Sequence, residues 1–144
     1  LHIIIRYECE KGLIDGTINV NELPQIWNKK IHDYLGIIPR DDNEGVMQDV
    51  HWSEGYFGYF PTYALGSIYA AQLYYSLKKK YPYIEEQISR GNFNFIKKWL
   101  RENIHSIGSL KKTEKIIEEC CGEKLNEKVF IEYLDSKYTK LYKL

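Results

Sequence analysis

The stretch GVMQDVHWSEGYFGYFPTY, residues 45–63, holds the residues of this chain best suited to chemistry. His51, Tyr59 and Tyr63 are hydrogen-bond donors, and donors of this kind aimed at one point are a usual means of stabilising a developing oxyanion. Asp49 stands two residues before His51, where a carboxylate can accept the second ring proton of an imidazole and orient it. The glycines at 45, 55 and 58 allow positive φ and close approach of a ligand. A purely structural loop accounts for the same residues: aromatics pin it down, and Asp49 caps a turn. Spacing alone leaves both readings open.

The elements that must carry this stretch read as helices. Ile4, Ile5, Tyr7 or Glu8, and Ile14 leave an apolar stripe with Arg6, Glu10 and Lys11 opposite, and Gly16 is a stop. Asn21 is placed to cap a second helix, whose apolar positions Leu23, Ile26, Trp27, Ile31, Tyr34 and Leu35 recur at three and four before Gly36. IIPRDDNEG is a loop. Pro61 suits the first turn of a long helix over 61–81, with Ala64, Gly66, Ser67, Ala70 and Ala71 along one side and Lys78–Lys80 at its dipole-favoured end. Shorter helices follow in YIEEQISRG, in NFNFIKKWLRENIHSIG up to Gly108, in TEKIIEECCG with Thr113 as cap and Gly122 as stop, and from Asn126 to the end. No alternating strand is visible, so the class is all-α, a helical bundle.

Composition narrows the function. The chain has 144 residues, 44% of them apolar, and 20 basic against 20 acidic residues. A zero formal charge with no one-signed block argues against nucleic acid and against an anionic membrane as partners. No apolar run approaches the roughly 18 residues of a spanning helix, and a cytoplasmic location is expected. Cys9, Cys120 and Cys121 form an odd set with two adjacent, a poor disulfide framework that suits a reducing compartment and structural thiols. The chain opens with Leu1 in mid-helix and without a cap, which reads as a piece of something longer.

GVMQDVHWS fills every fixed position of GxxQDxHW, at Gly45, Gln48, Asp49, His51 and Trp52. It resembles the M32 family of metallocarboxypeptidases, the thermostable carboxypeptidase 1 type. The similarity continues through GYFGYFPTYALG, LHIIIRYECEKGLI, YPYIEEQISRGNFNFIKKWLRENIH and FIEYLDSKYTKLY, and is looser over GSLKKTEKIIEECCGE. The resemblance implies that residues 1–144 are the C-terminal helical region of a zincin-like (gluzincin) peptidase, one incomplete domain with its active-site wall at 45–63. It implies zinc or cobalt in the full-length enzyme, peptide substrates trimmed by single residues from their C-termini with broad preference short of proline, and a homodimer.

The HExxH, HES/GQ and IRxxAD motifs that hold metal and substrate in that family do not occur in these residues. His2, His32, His51 and His105 have no His partner at helical spacing, so no metal is expected on this chain alone; the missing N-terminal part is its implied partner. By resemblance, His51 and Tyr63 are the oxyanion donors with Tyr59 as the alternate, while Gly45, Gln48, Asp49 and Trp52 are the substrate-binding positions. Packing suggests instead that Trp52, like Phe57 and Phe60, belongs to the core. His2 and Arg6, one helical turn apart and next to the absent IRxxAD segment, read as a surface pair ahead of a pair facing the cleft, and His32 and His105 as partners of helix C-termini. A non-catalytic helical binding module, or half of a split peptidase completed in trans, remains the alternative to a fragment of one enzyme.

Overall fold

The computed structural model describes all 144 residues, and they form helices and connecting turns with no strand. The all-α expectation holds. The chain divides into two compact units, Leu1–Leu65 and Gly66–Leu144.

The first unit begins with α1, His2–Asp15, which ends where Gly16 turns left-handed at φ 77°. A 3-10 turn, Val20–Glu22, leads into α2, Leu23–Leu35, closed by Gly36 at φ 70°. The cap of this segment is Asn19 rather than Asn21. Asn19 Oδ1 accepts the Asn21 amide at 3.0 Å, and the Glu22 carboxylate accepts the Asn19 amide at 3.3 Å. This reciprocal pair satisfies two otherwise orphaned donors, which Asn21 could not do from inside the turn.

Ile5 and Cys9 of α1 pack on Leu23, Trp27 and Ile31 of α2, and Trp52 leans on that core. Gly12 is required by close approach: a Cβ there would lie 2.5 Å from Ile18 Cδ1. A second 3-10 turn, Val46–Gln48, and the short helix α3, Val50–Ser53, carry the chain to Phe60.

Helix α4, Pro61–Lys80, runs from the end of the first unit into the second, with Pro61 opening it. The second unit continues with α5, Ile84–Ser89, and α6, Asn94–Leu100. Beyond α6 the backbone widens into a π turn over Arg101–His105, where the Ser106 amide reaches back to the Arg101 carbonyl at 3.0 Å. Leu77, Ile84 and Trp99 form the core there. Helix α7 spans Thr113–Cys121 and stops at Gly122, φ 79°. Its cap is Lys112 and not Thr113, because the extended backbone at Lys112 marks the residue where the chain enters the helix. Asn126 caps α8, Glu127–Tyr142, accepting the Lys128 amide at 3.1 Å.

Gln72 is fully buried and ties the α7–α8 connection to α4. It donates to the Lys124 carbonyl and accepts the Asn126 amide, both at 2.9 Å. The thiols are free. Cys9 is buried, and that burial pushes its pKa up to about 11. No helix is long and apolar enough to cross a membrane.

Candidate functional site

The loop over 45–60 is assembled from its own backbone needs first. Gly45 has φ −104° and ψ −120°, not the positive φ expected of it. Its lack of a side chain serves packing, since a Cβ would sit 3.1 Å from Asn28 Oδ1 and 3.2 Å from the Asp41 carbonyl. Gln48 donates its side-chain amide to the Asn43 carbonyl within the same loop. Asp49 is buried and caps α3: its Oδ1 accepts the backbone amides of His51 at 2.9 Å and Trp52 at 3.3 Å. The His51 ring nitrogen Nδ1 lies 3.8 Å from that oxygen. Asp49 therefore fixes His51 mainly through its backbone, as an N-cap does.

The Asp49 carboxylate has a second neighbour that periodicity hid. Arg6 Nε stands 3.6 Å from Oδ2, with the Arg6 side chain only 15% exposed. Its guanidinium lies over the Trp27 and Phe60 rings, 5.0 and 5.2 Å from their centroids. The expected surface pair of His2 and Arg6 is thus corrected: His2 is exposed, while Arg6 is drawn inward by a buried carboxylate and two aromatic faces. Glu10 is corrected as well. It was assigned to the solvent side of α1, yet it is buried, with Oε2 accepting Trp52 Nε1 at 2.8 Å and Oε1 accepting the Gly58 amide. Glu10 was not singled out as functional, and Arg6 only as a second choice, facing the cleft with His2. The i, i+4 spacing of Arg6 and Glu10 puts both on one face beside Ile5 and Cys9, but it is equally the pattern of an exposed pair and gave no signal.

Trp52 is half-buried and meets Trp27 edge-on at 5.9 Å, so its ring belongs to the core of this unit. Phe60 is also core, at 6% exposure, but Phe57 is 54% exposed. The core assignment of Phe57 fails because the left-handed turns at Gly55 and Gly58, φ 78° and 75°, throw the segment between them outward.

His51, Tyr59 and Tyr63 do come together. His51 Nε2 and Tyr63 Oη are 3.1 Å apart. The Tyr59 ring stacks on the imidazole at 5.5 Å and meets Tyr63 edge-on at 5.4 Å. Phe60 supports the imidazole from 4.5 Å. With Val50, Glu54 and Tyr56 these three residues line an open concavity of about 490 Å³. Tyr63 meets His51 through its hydroxyl, and Tyr59 does so through its ring. An imidazole and a phenol sharing one hydrogen bond at the rim of a concavity can present a proton to an incoming oxygen.

No group of three His, Cys, Asp or Glu side chains converges in the chain, so these residues do not fit a metal ion. His32, in the last turn of α2, lies beside Asp33, and His105 is exposed in the last turn of the π segment.

The chain is all-helical, and its loop of donors is braced by the buried side chains of Glu10 and Asp49. Residues 1–138 match the model of the Carboxypeptidase Taq (M32) metallopeptidase family, and the chain belongs to that family. It is 50% identical over 144 residues to Carboxypeptidase 1 of Bacillus subtilis, covering all of this chain and 29% of that protein. Thermostable carboxypeptidase 1 of Thermus thermophilus is 42% identical over 142 residues, covering 99% of this chain and 28% of that protein. Among solved structures, Trypanosoma cruzi metallocarboxypeptidase 1 superposes with a TM-score of 0.91 at 38% identity, over 95% of this chain and 28% of its own. The BsuCP crystal structure gives 0.89 at 49% identity, over 97% of this chain and 28% of its own. The chain thus spans less than a third of the relatives it matches, and corresponds to their C-terminal portion.

Proposed function

We propose that these residues are the C-terminal helical region of a zinc- or cobalt-dependent carboxypeptidase that removes single residues from peptide C-termini. In this reading residues 1–144 are one incomplete domain, 45–63 is a wall of the cleft, and the chain is inactive alone. The names of the relatives support the activity. The observation that carries the role of this chain is the 3.1 Å approach of His51 Nε2 to Tyr63 Oη beside an open concavity. The coverage of the relatives, under a third of each, supports an incomplete domain.

The chemistry assigned to this chain stops at hydrogen bonds, because no three of its side chains converge on a metal ion. Peptide hydrolysis turns the scissile carbonyl oxygen into an oxyanion. His51 and Tyr63 are held side by side by their mutual bond and exchange it for donation to that oxygen as its charge develops, which lowers the barrier more than it strengthens ground-state binding. Tyr59 packs the imidazole face, and Gln48, Asp49, Trp52 and Gly45 shape the wall to which the peptide backbone binds. The metal ligands belong to the remainder of a longer cytoplasmic, homodimeric protein.

The test uses the full-length protein and an N-blocked peptide. Single residues should be released in order from the free C-terminus, with none released where proline is terminal. His51→Ala and Tyr63→Phe should each lower kcat about 10²–10³-fold with KM and metal content nearly unchanged. Tyr59→Phe should stay close to wild type. Absence of residue release, or full kcat in both variants, defeats this reading.

A further inference from the structure

Glu10 is a buried carboxylate that gives both its oxygens to one loop instead of to a cation. Oε2 accepts the indole N–H of Trp52, and Oε1 accepts the backbone N–H of Gly58. Trp52 precedes, and Gly58 lies within, the turn between α3, which carries His51, and the first turn of α4, which carries Tyr63. That turn contains Gly55 and Gly58, both left-handed, and glycine backbone is the least able to hold its own conformation. One helical turn before Glu10, Arg6 engages Asp49, the cap of α3. Helix α1 therefore grips the loop at 49, 52 and 58, around the one imidazole that faces the concavity.

We propose that Glu10 is a positioning residue that sets the distance between His51 and Tyr63. The proposal rests on the role given to those two residues above. A carboxylate suits the task because it accepts at both oxygens, and two N–H donors converge on it from different parts of the loop. An amide cannot replace it: Gln has nearly the same shape but offers one acceptor, so its NH2 group would confront a donor. The turn would then be held at one end only, and the 3.1 Å approach of Nε2 to Oη would no longer be fixed.

In the full-length enzyme, Glu10→Gln should lower kcat by about 10–100-fold with little change in KM, the scale expected when reacting groups are misplaced by a fraction of a bond length. The decisive measurement is the double variant. Added to His51→Ala, Glu10→Gln should cause no further loss, because a residue acting through His51 has nothing left to position. In the substrate-free protein, the Trp52 indole and Gly58 amide proton resonances should both move upfield in Glu10→Gln. Trp52→Phe removes one donor of the same clamp and should reproduce the kcat loss, which keeps the test intact if Glu10→Gln does not fold. Full additivity with His51→Ala, or wild-type kcat with both resonances shifted, overturns the proposal while leaving the role of His51 standing. If His51→Ala and Tyr63→Phe are themselves fully active, the functional reading fails and the positioning role falls with it.

Discussion

In residues 1–65, Arg6, Glu10 and Asp49 are taken into the interior, whereas in residues 66–144 the ion pairs stay at the surface. Lys78–Glu85, Arg90–Glu86, Lys98–Glu102, Lys111–Glu119 and Lys115–Glu118 all have side chains at least 38% exposed. The buried polar side chain of that second unit, Gln72, is neutral. Taking a charge out of water costs several kcal/mol, so a fold does it where something is gained beyond stability. An amide suffices to tie helices together in the second unit. The first unit spends buried charge directly beneath the loop that carries His51.

Arg6→Met should give the largest stability loss among changes that test this contrast. It keeps the aliphatic stem over Trp27 and Phe60 but leaves the Asp49 carboxylate buried without its cation, a loss of about 3 kcal/mol. Urea unfolding of the variant against wild type measures it, and a change below about 1 kcal/mol would mean that the two backbone amides capped by Asp49 suffice. Gln72→Leu should come next. The Lys124 carbonyl and the Asn126 amide lose their partner, at a cost of about 2 kcal/mol. The same unfolding experiment reads it, and a neutral outcome would show that water replaces the amide there.

Helix ends were legible from sequence where a residue caps through its own geometry. Gly16, Gly36 and Gly122 adopt the left-handed conformation that ends a helix, and Asn126 opens α8 as expected. Asn19 and Lys112 were missed because a cap is set by where the backbone leaves the helical region, and Asn21 and Thr113 look equally suitable in a string of letters. His51 and Tyr63 were paired by the family resemblance and not by spacing, and the fold brings Nε2 and Oη to 3.1 Å. The brace beneath them was not legible. An Arg and a Glu four apart on a helix are the pattern of an exposed pair, and only the folded loop supplies the carboxylate, indole and amide that draw them inward.

The surface pair Lys78–Glu85 should show the smallest effect. Lys78 Nζ donates to Glu85 Oε1 at 2.6 Å, with side chains 51% and 66% exposed. The hydrogen bond to Lys78 holds the Glu85 carboxyl below its ordinary pKa, and the same bond raises Lys78 above its own. A lowered carboxyl contributes stability above its unfolded pKa, about 4.3, and loses it as pH falls through the folded value. A raised amine contributes below its unfolded pKa, about 10.4, and loses it as pH rises through the folded value. The pair thus acts between roughly pH 4.3 and 10.4, and exposure limits it to about 0.5 kcal/mol. Lys78→Met should therefore shift the urea midpoint slightly at pH 7 in low salt, by less as pH falls through the folded Glu85 value, and by nothing measurable in 1 M salt. Arg6→Met should keep most of its effect in 1 M salt, because its partner is shielded from counterions. If the two variants respond to salt alike, Asp49 is not buried from solvent as the structure places it, and the contrast between the two units disappears.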